Sequence, residues 1–394
     1  MLTLKILFFF GVFIIFYSYL GYGILLWLLI NIRNLFKKSP FPPVPADLPC
    51  VTLVVAAYNE EGFIGDKIKN TLSLDYPKDK FHVIVITDGS SDNTAEVAGS
   101  FPGVRVLHQA TRRGKIAAIH RAMSFVKSEI VIFSDANTLL NKDSIYNIAR
   151  HYQSARVGGV AGEKKVLLTK DSTVAGSGEG LYWKYESFLK KLDAEFYTIV
   201  GAAGELFSIR TSLYEYVGDN VLLDDFIISL KICKKGYRVV YEPGAFAIEA
   251  PSASLAEEQK RKVRISAGAF QSIIMLSDLL NIFKYPVLAF QYISHRVIRW
   301  TLCPLFLPLI LLLNSIIVIK GASLFYTLSL ICQLAFYLAA VAGYVFYLKN
   351  IKMKLLFVPY YFVFLNFSLY LGFIKFIRGR QSVLWDKAAR ENMA

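Results

Sequence analysis

Four short clusters of acidic and amide side chains stand where chemistry could be done. Tyr58, Asn59, Glu60 and Glu61 follow the apolar run VTLVVAA (51–57). Asp88, Gly89, Ser90, Ser91 and Asp92 follow HVIVIT (82–87), and Asp135 closes EIVIFSD (129–135) ahead of Ala136 and Asn137. Asp224 and Asp225 open the helix-like segment DDFIISLKICKKGYRVVYEP. One Asp after a strand is usually a helix cap, as expected for Asp92, and an acidic pair at a helix start also favours the helix dipole. Three such clusters, each directly after an apolar run, exceed what capping needs. Carboxylate and amide oxygens together suit a hard cation, Mg2+ or Mn2+, and such a cation in a cleft commonly holds a diphosphate. Cations to neutralise it are available: Arg112, Arg113 and Lys115 in TRRGK, and Arg261, Lys262 and Arg264 beside Gln259 in EEQKRKVR. Alone, each basic run reads as a solvated face; the carboxylates give it meaning. The four cysteines, Cys50, Cys233, Cys303 and Cys332, show no zinc spacing and are expected to be free thiols in a reducing compartment.

The elements that must position these residues alternate. Near-continuous apolar runs at 51–57, 82–87, 104–108 and 129–135 read as buried parallel strands. Helical spacing over 60–74, 92–99, 114–126 and 142–151 follows each in turn. This alternation predicts an α/β domain with a mostly parallel sheet and helices on both faces. Ligands in such sheets bind beyond the carboxyl ends of the strands, where three of the four clusters fall. The proline-rich stretch 39–49 reads as a stiff connector into the domain.

The chain is 394 residues long and 55% hydrophobic, and the apolar excess is concentrated near its two ends. Four uncharged stretches, 6–32, 301–319, 321–348 and 355–374, match the ~20 residues a crossing helix needs. The first reads as an uncleaved anchor, too long for a signal-peptide core and without a cleavage site. The formal net charge of +14 is explained by membrane flanks rather than by nucleic acid. Arg33, Lys37 and Lys38 follow the first span, Lys349, Lys352 and Lys354 separate the last two, and Arg378 and Arg380 follow the last. The positive-inside rule places the flank 33–38 and the following domain in the cytoplasm, against an anionic leaflet. Three further crossings would put the tail outside, yet it carries Arg378, Arg380, Lys387 and Arg390. Either the tail departs from the rule or one segment does not cross fully, and the segment 355–377, with Pro359 and Asn366, is the suspect. ISHRVIRW (293–300) alternates His295, Arg296 and Arg299 with apolar residues and reads as an amphipathic helix anchored at the bilayer surface. Asn314, Gln333 and Asn366 are too few polar residues within spans for a transporter.

In this order and spacing the motifs VVAAYNEE (54–61), TDGSSDNT (87–94), RRGKIAAI (112–119), SDAN (134–137), GAAGELFSIR (201–210), DDFIISLKICKKGYRVVYEP (224–243) and EEQKRKVR (257–264) carry a family resemblance. The sequence resembles, over nearly its whole length, the membrane-bound family 2 glycosyltransferases of GT-A fold, the group of cellulose, hyaluronan and poly-N-acetylglucosamine synthases. The resemblance implies a Rossmann-like GT-A domain joined to transmembrane helices. It further implies that Asp88 contacts the uracil base, that Tyr58 and Glu60 line the nucleoside pocket, and that Lys115 lies near the nucleotide. Asp135 matches the first acid of the D-x-D motif, which holds the metal on the donor diphosphate, with Asn137 at its last position. Asp225 matches the general base that takes the acceptor hydroxyl proton, with Asp224 before it. The pattern departs at three places. Asn137 replaces an acid, Leu223-Asp224-Asp225 replaces T-E-D, and Lys262-Val263 stands where Q-x-x-R-W, begun by Gln259, would have Arg-Trp. Trp183 or Trp385 could replace that aromatic surface or serve only as membrane-interface tryptophans. Arg378, Trp385 and Arg390 resemble a Trp–Arg element that lies near the nucleotide in hyaluronan synthases.

The organisation expected is a transmembrane anchor (1–38), a GT-A domain (39–280), an interface helix (281–300) and a C-terminal transmembrane region with a basic tail (301–394). The function expected is inverting, metal-dependent transfer from a nucleotide sugar, a UDP-sugar first, to a glycan, building an extracellular or capsular polysaccharide at the cytoplasmic face. Two other readings stand beside it: transfer of one sugar to a lipid-linked acceptor, and a non-catalytic subunit of an export assembly.

Overall fold

The computed structural model describes residues 1–36, 47–167, 174–321, 323–349, 351, 353–379 and 382–384. Residues 39–46 of the connector, Lys37, Lys38 and Lys352 of the basic flanks, and Arg380, Trp385, Lys387 and Arg390 of the tail lie outside them. The apolar N-terminal stretch is helical: α1 (Leu2–Phe16) and α2 (Tyr22–Phe36) are joined through a π-helical turn, Tyr17–Gly21.

The expected alternation then appears. β1 (Val51–Ala57), α3 (Glu61–Leu72), β2 (Phe81–Thr87), α4 (Thr94–Gly99), β3 (Val104–Leu107), α5 (Lys115–Met123) and β4 (Ile130–Asp135) follow one another. The remaining strands are β5 (Thr138–Leu140), β6 (Val157–Val166), β7 (Leu206–Arg210) and β8 (Arg238–Glu249). Between and after them come α6 (Ser144–Ala149), α7 (Val174–Phe196), α8 (Asp224–Lys234) and α9 (Leu255–Met275). Among the described residues the eight strands form one sheet in the order β3-β2-β1-β4-β7-β6-β8-β5. β3, β2, β1 and β4 are parallel. β7 runs against both β4 and β6, β6 is parallel to β8, and β5 is antiparallel to β8. The sheet is thus mostly parallel.

Because side chains alternate across a strand, each apolar run feeds two cores. Val54, Ile84, Val131 and Phe133 meet Ile116, Ile119, Phe226 and Leu230 on one face. Leu53, Val55, Val85 and Ile132 meet Ile64, Ile68, Ile145 and Ile148 on the other. The parallel register Val54↔Ile84 and Val54↔Phe133 brings the ends of β1, β2 and β4 to one edge, and with them the first three acidic clusters.

After the domain come α10 (Pro286–Tyr292), a π-helical turn (Ile293–Val297), α11 (Ile298–Trp300), α12 (Leu302–Ile319), α13 (Leu324–Leu348) and α14 (Lys354–Ile377). Among the described residues four helices are long and apolar enough to cross a bilayer: Leu2–Leu35, Leu302–Ile319, Leu324–Leu348 and Leu355–Ile377. The suspected segment 355–377 is regular helix throughout. Pro359 sits in its second turn, where it removes only the bond to the Leu355 carbonyl. One difference concerns ISHRVIRW. His295, Arg296 and Arg299 are buried rather than presented to a surface. Arg296 Nη1 donates to Glu186 at 2.9 Å, Arg299 pairs with the same carboxylate, and His295 Nδ1 is bonded to Asp193, which also accepts from the Tyr22 hydroxyl. Helical periodicity marks a face but not what covers it, and here α7 covers it with two acids.

Candidate active site

A cleft of about 900 Å³ opens beyond the carboxyl ends of β1 and β4. Tyr58 and Glu60 reach it from the end of β1, Asp135 and Asn137 from the end of β4, and Lys115 from the start of α5. Asp224 and Asp225 at the start of α8, with Gln259, Arg261 and Arg264 on α9, form the facing wall.

The loops behind this wall are tied to one another. Asn59 takes a left-handed conformation at φ 52°, which Asn tolerates better than most residues. It lets the chain turn sharply after β1, so that Asn59 Oδ1 accepts from Ser91 N at 2.9 Å and Glu60 N donates to Thr94 Oγ1 at 2.8 Å. Asp92 accepts from Thr94 N at 3.1 Å and from Glu61 N at 3.1 Å, fastening the start of α4 to that of α3. Asp88 is almost fully buried and does not line the cleft. Its oxygens accept from the backbone N–H groups of Arg113 at 2.8 Å and Gly114 at 2.7 Å. The carboxylate thereby secures the RRGK loop. That loop returns Arg112 to the Tyr58 ring, its guanidinium carbon 3.6 Å from the centroid, a cation–π contact.

Lys115 is the hub of the charged wall. Its Nζ donates to Asp135 Oδ1 at 2.6 Å. Burial disfavours its charge, but Asp135, Asp224 and Asp225 outweigh burial and raise its pKa. Gly204 leaves room for this approach: a Cβ there would stand 3.0 Å from Lys115 Nζ and 3.4 Å from Asp225 Oδ2. Gly201 is required for the same turn, with φ +89° and an added Cβ only 2.0 Å from the Phe226 ring. Asp225 is pushed up to about 7, by burial first and then by the neighbouring Asp224 charge, against the pull of Lys115. A carboxylate poised there can take a proton near neutral pH. Arg264 faces the same acids, and its Nε is buried with no hydrogen-bond partner among the described residues.

Sequence reasoning missed a buried ionic network beneath the cleft. Lys164 Nζ lies 2.6 Å from Glu205 and 3.5 Å from Glu179, and is also bonded to Glu249. Arg261 pairs with Glu179 and, at 3.0 Å, with Glu258. Glu249 in turn accepts from Asn137 Nδ2 at 3.2 Å. These charges come from β6, α7, the residue before β7, β8 and α9, so no local spacing could reveal them. The sequence signals were Glu205 inside GAAGELFSIR and Arg261 with Glu258 inside EEQKRKVR. Lys262 does not reach the wall: its Nζ is 4.1 Å from the Tyr182 centroid and 3.5 Å from Glu258. Val263 does line the cleft, as do Trp183 and Trp300.

The donor set can be tested against a divalent cation. With its amide nitrogen on Glu249, Asn137 keeps a carbonyl oxygen to offer beside Asp135. Among the described residues no group of three or more His, Cys, Asp or Glu could enclose a metal. One carboxylate and one amide oxygen still suit a hard cation of the kind completed by substrate phosphates and water, so the residues fit Mg2+ or Mn2+ held jointly with a diphosphate.

Comparison with known proteins agrees with this architecture. Residues 52–218 match the model named Glycosyl transferase family 2, and the chain carries a glycosyltransferase domain of that family. The poly-beta-1,6-N-acetyl-D-glucosamine synthase of Staphylococcus aureus (strain MSSA476) is 26% identical over 308 residues, covering 75% of this chain and 72% of its own. The enzyme of the same name from Staphylococcus epidermidis is 25% identical, covering 61% and 59%. A mannosyltransferase from Pyrobaculum calidifontis, solved with GDP-Man and Mn2+, superposes with a TM-score of 0.73 at 21% identity, covering 96% of this chain and 99% of that one. The fold is GT-A, and the chain is a glycosyltransferase.

Proposed function

We propose that this membrane glycosyltransferase transfers a sugar, with inversion, from a nucleotide sugar to a glycan acceptor at the cytoplasmic face, extending a polysaccharide. The observation that carries the reading is the placing of Asp225. It sits deprotonatable near neutrality, in one cleft with the Lys115–Asp135 pair. Asp225 takes the acceptor hydroxyl proton as the new bond forms, so no covalent enzyme intermediate is needed. Lys115 and Arg264 bring positive charge to the departing diphosphate, and the loop secured by Asp88 sets Arg112 on Tyr58 at the nucleoside end. Mg2+ or Mn2+, held by Asp135 and the Asn137 carbonyl, would supply electrostatic stabilisation of the leaving group. A uridine donor follows from the resemblance to the synthase group. The test is a donor screen in lipid nanodiscs with UDP- and GDP-sugars and either metal, following nucleotide release and product size.

One observation favours a second reading, a single transfer to a lipid-linked acceptor. Val263 lines the cleft where the synthase group has tryptophan, which removes a stacking surface for a growing chain. Trp183 on α7 stands on the same wall and can replace it. A ladder of long products supports the polymerase reading; one short or lipid-linked product supports single transfer.

A further inference from the structure

We propose that the cleft holds a second subsite, where it meets the membrane helices, that takes the phosphate of a lipid-linked acceptor. This subsite rests on the lipid-linked reading above and names the group by which such an acceptor is held.

Three donors on one wall of the cleft have N–H groups to spare. Lys190 on α7 lines the cleft and is only 4% exposed. Its ammonium makes no hydrogen bond or ion pair among the described residues, and lies 5.5 Å from the centroid of the Trp183 ring. Burial first, and Arg296 second, lower the Lys190 pKa, and Glu186, Glu205 and Asp225 oppose them only in part. Trp183 Nε1, on the same helix, is buried with no hydrogen-bond partner among the described residues. Arg296 also lines the cleft. Its Nε donates to the Val200 carbonyl at 3.1 Å and its Nη1 to Glu186 at 2.9 Å, which leaves Nη2.

The acids near these donors are already engaged. Glu186 serves the guanidinium groups of both Arg296 and Arg299, with His295 Nε2 3.8 Å away. Glu205 holds Lys164 at 2.6 Å, and Asp225 is the base of the proposed reaction. Around Glu186, one carboxylate thus faces two guanidinium groups and the Lys190 ammonium, an excess of positive charge in a nearly dry wall. A buried cation without a partner is costly. Ammonium, guanidinium and indole N–H groups donate and do not accept, so the set fits an anion. Phosphate suits it, because its several oxygens accept from Arg and Lys together.

The position of the subsite points to a lipid as the source of the phosphate. Leu189, beside Lys190, packs with Tyr22, Leu26 and Ile30 of the first candidate span. Trp300, a further residue of the cleft wall, precedes α12 by one residue. The donors therefore stand against two candidate spans, where the headgroup region flanks the hydrocarbon of a bilayer. Trp300 also relates the subsite to the base. Its ring centroid is 5.4 Å from that of Phe226, the residue after Asp225, and 5.6 Å from the Arg296 guanidinium carbon. An aromatic ring thus separates the cations from the base, room for a sugar unit between the phosphate and the reacting hydroxyl.

The probes are farnesyl phosphate and farnesol, each titrated without donor into the full chain in nanodiscs of zwitterionic lipid. Wild type should bind farnesyl phosphate about tenfold or more tightly than farnesol, the effect of one charge-assisted hydrogen bond to a buried cation. Lys190→Met should remove most of that preference and Lys190→Arg restore part of it, with UDP affinity unaltered in both. Equal binding of the two probes by wild type, or an undiminished preference in Lys190→Met, would overturn the subsite. A loss of UDP affinity in Lys190→Met as large as the loss for farnesyl phosphate would give Lys190 to the donor diphosphate and overturn it equally. Transfer is measured separately, with farnesyl-phosphate-linked sugars as acceptors. A preserved phosphate preference with no transfer from any donor would support the subsite and refute the lipid-linked reading.

Discussion

Lys115 Nζ stands 2.6 Å from Asp135 Oδ1, and Asp224 and Asp225 at the start of α8 join Asp135 in raising its pKa. The same ammonium lowers the Asp225 pKa that burial and Asp224 raise. Proton transfer to Asp225 requires its charged form, so turnover should rise with pH through about 7. Lys115→Met removes the lowering influence, and the rising limb should move to higher pH, with a loss of nucleotide affinity of about tenfold or more. Rate–pH profiles with saturating donor check both effects.

Asn137→Asp would restore the acid common in the D-x-D motif, yet it should impair the protein. The Asn137 amide donates to Glu249, and an aspartate there would set two carboxylates against each other. We expect a loss of about 1–2 kcal/mol, read as a lower Tm in detergent. Adding Glu249→Gln should recover most of it.

Trp183→Ala should raise the acceptor KM several-fold while leaving nucleotide binding unchanged, because its ring lines the cleft from α7, away from the loops after β1 and β2. Steady-state kinetics at varied acceptor concentration, beside nucleotide titration, separate the two.

Glu186 holds Arg296 and Arg299 at the junction of the domain with the N-terminal helix. Burial pushes its carboxyl up, but the two guanidinium groups prevail and bring it well below its ordinary value. Its contribution is therefore present above about pH 4.5 and is lost as pH falls through the depressed value. Glu186→Gln should cost about 3 kcal/mol by leaving buried cations unpaired, and the Tm difference from wild type should shrink in acid.

Much of the catalytic domain was legible in the sequence because its parallel strands are buried on both faces. Runs such as VTLVVAA and EIVIFSD then have short, apolar, unambiguous limits. The wall residues Tyr58, Lys115, Asp135 and Asp225 were legible because each lies within a residue or two of the start or end of such an element. The Lys164–Glu205–Glu249 and Arg261–Glu179 pairs were not, since their members meet only once distant segments pack. His295, Arg296 and Arg299 misled because charge at helical spacing looks the same whether water, lipid headgroups or buried acids face it. For α14, composition gives an apolar helix, while its packing along α9 appears only in the fold.

The most direct test of the account compares wild type with Asp225→Asn in nanodiscs, measuring nucleotide binding and sugar transfer with the best donor. The account predicts unchanged donor affinity and a loss of transfer of about 10²-fold or more. Near-wild-type turnover by Asp225→Asn would contradict the assignment of Asp225 as the base.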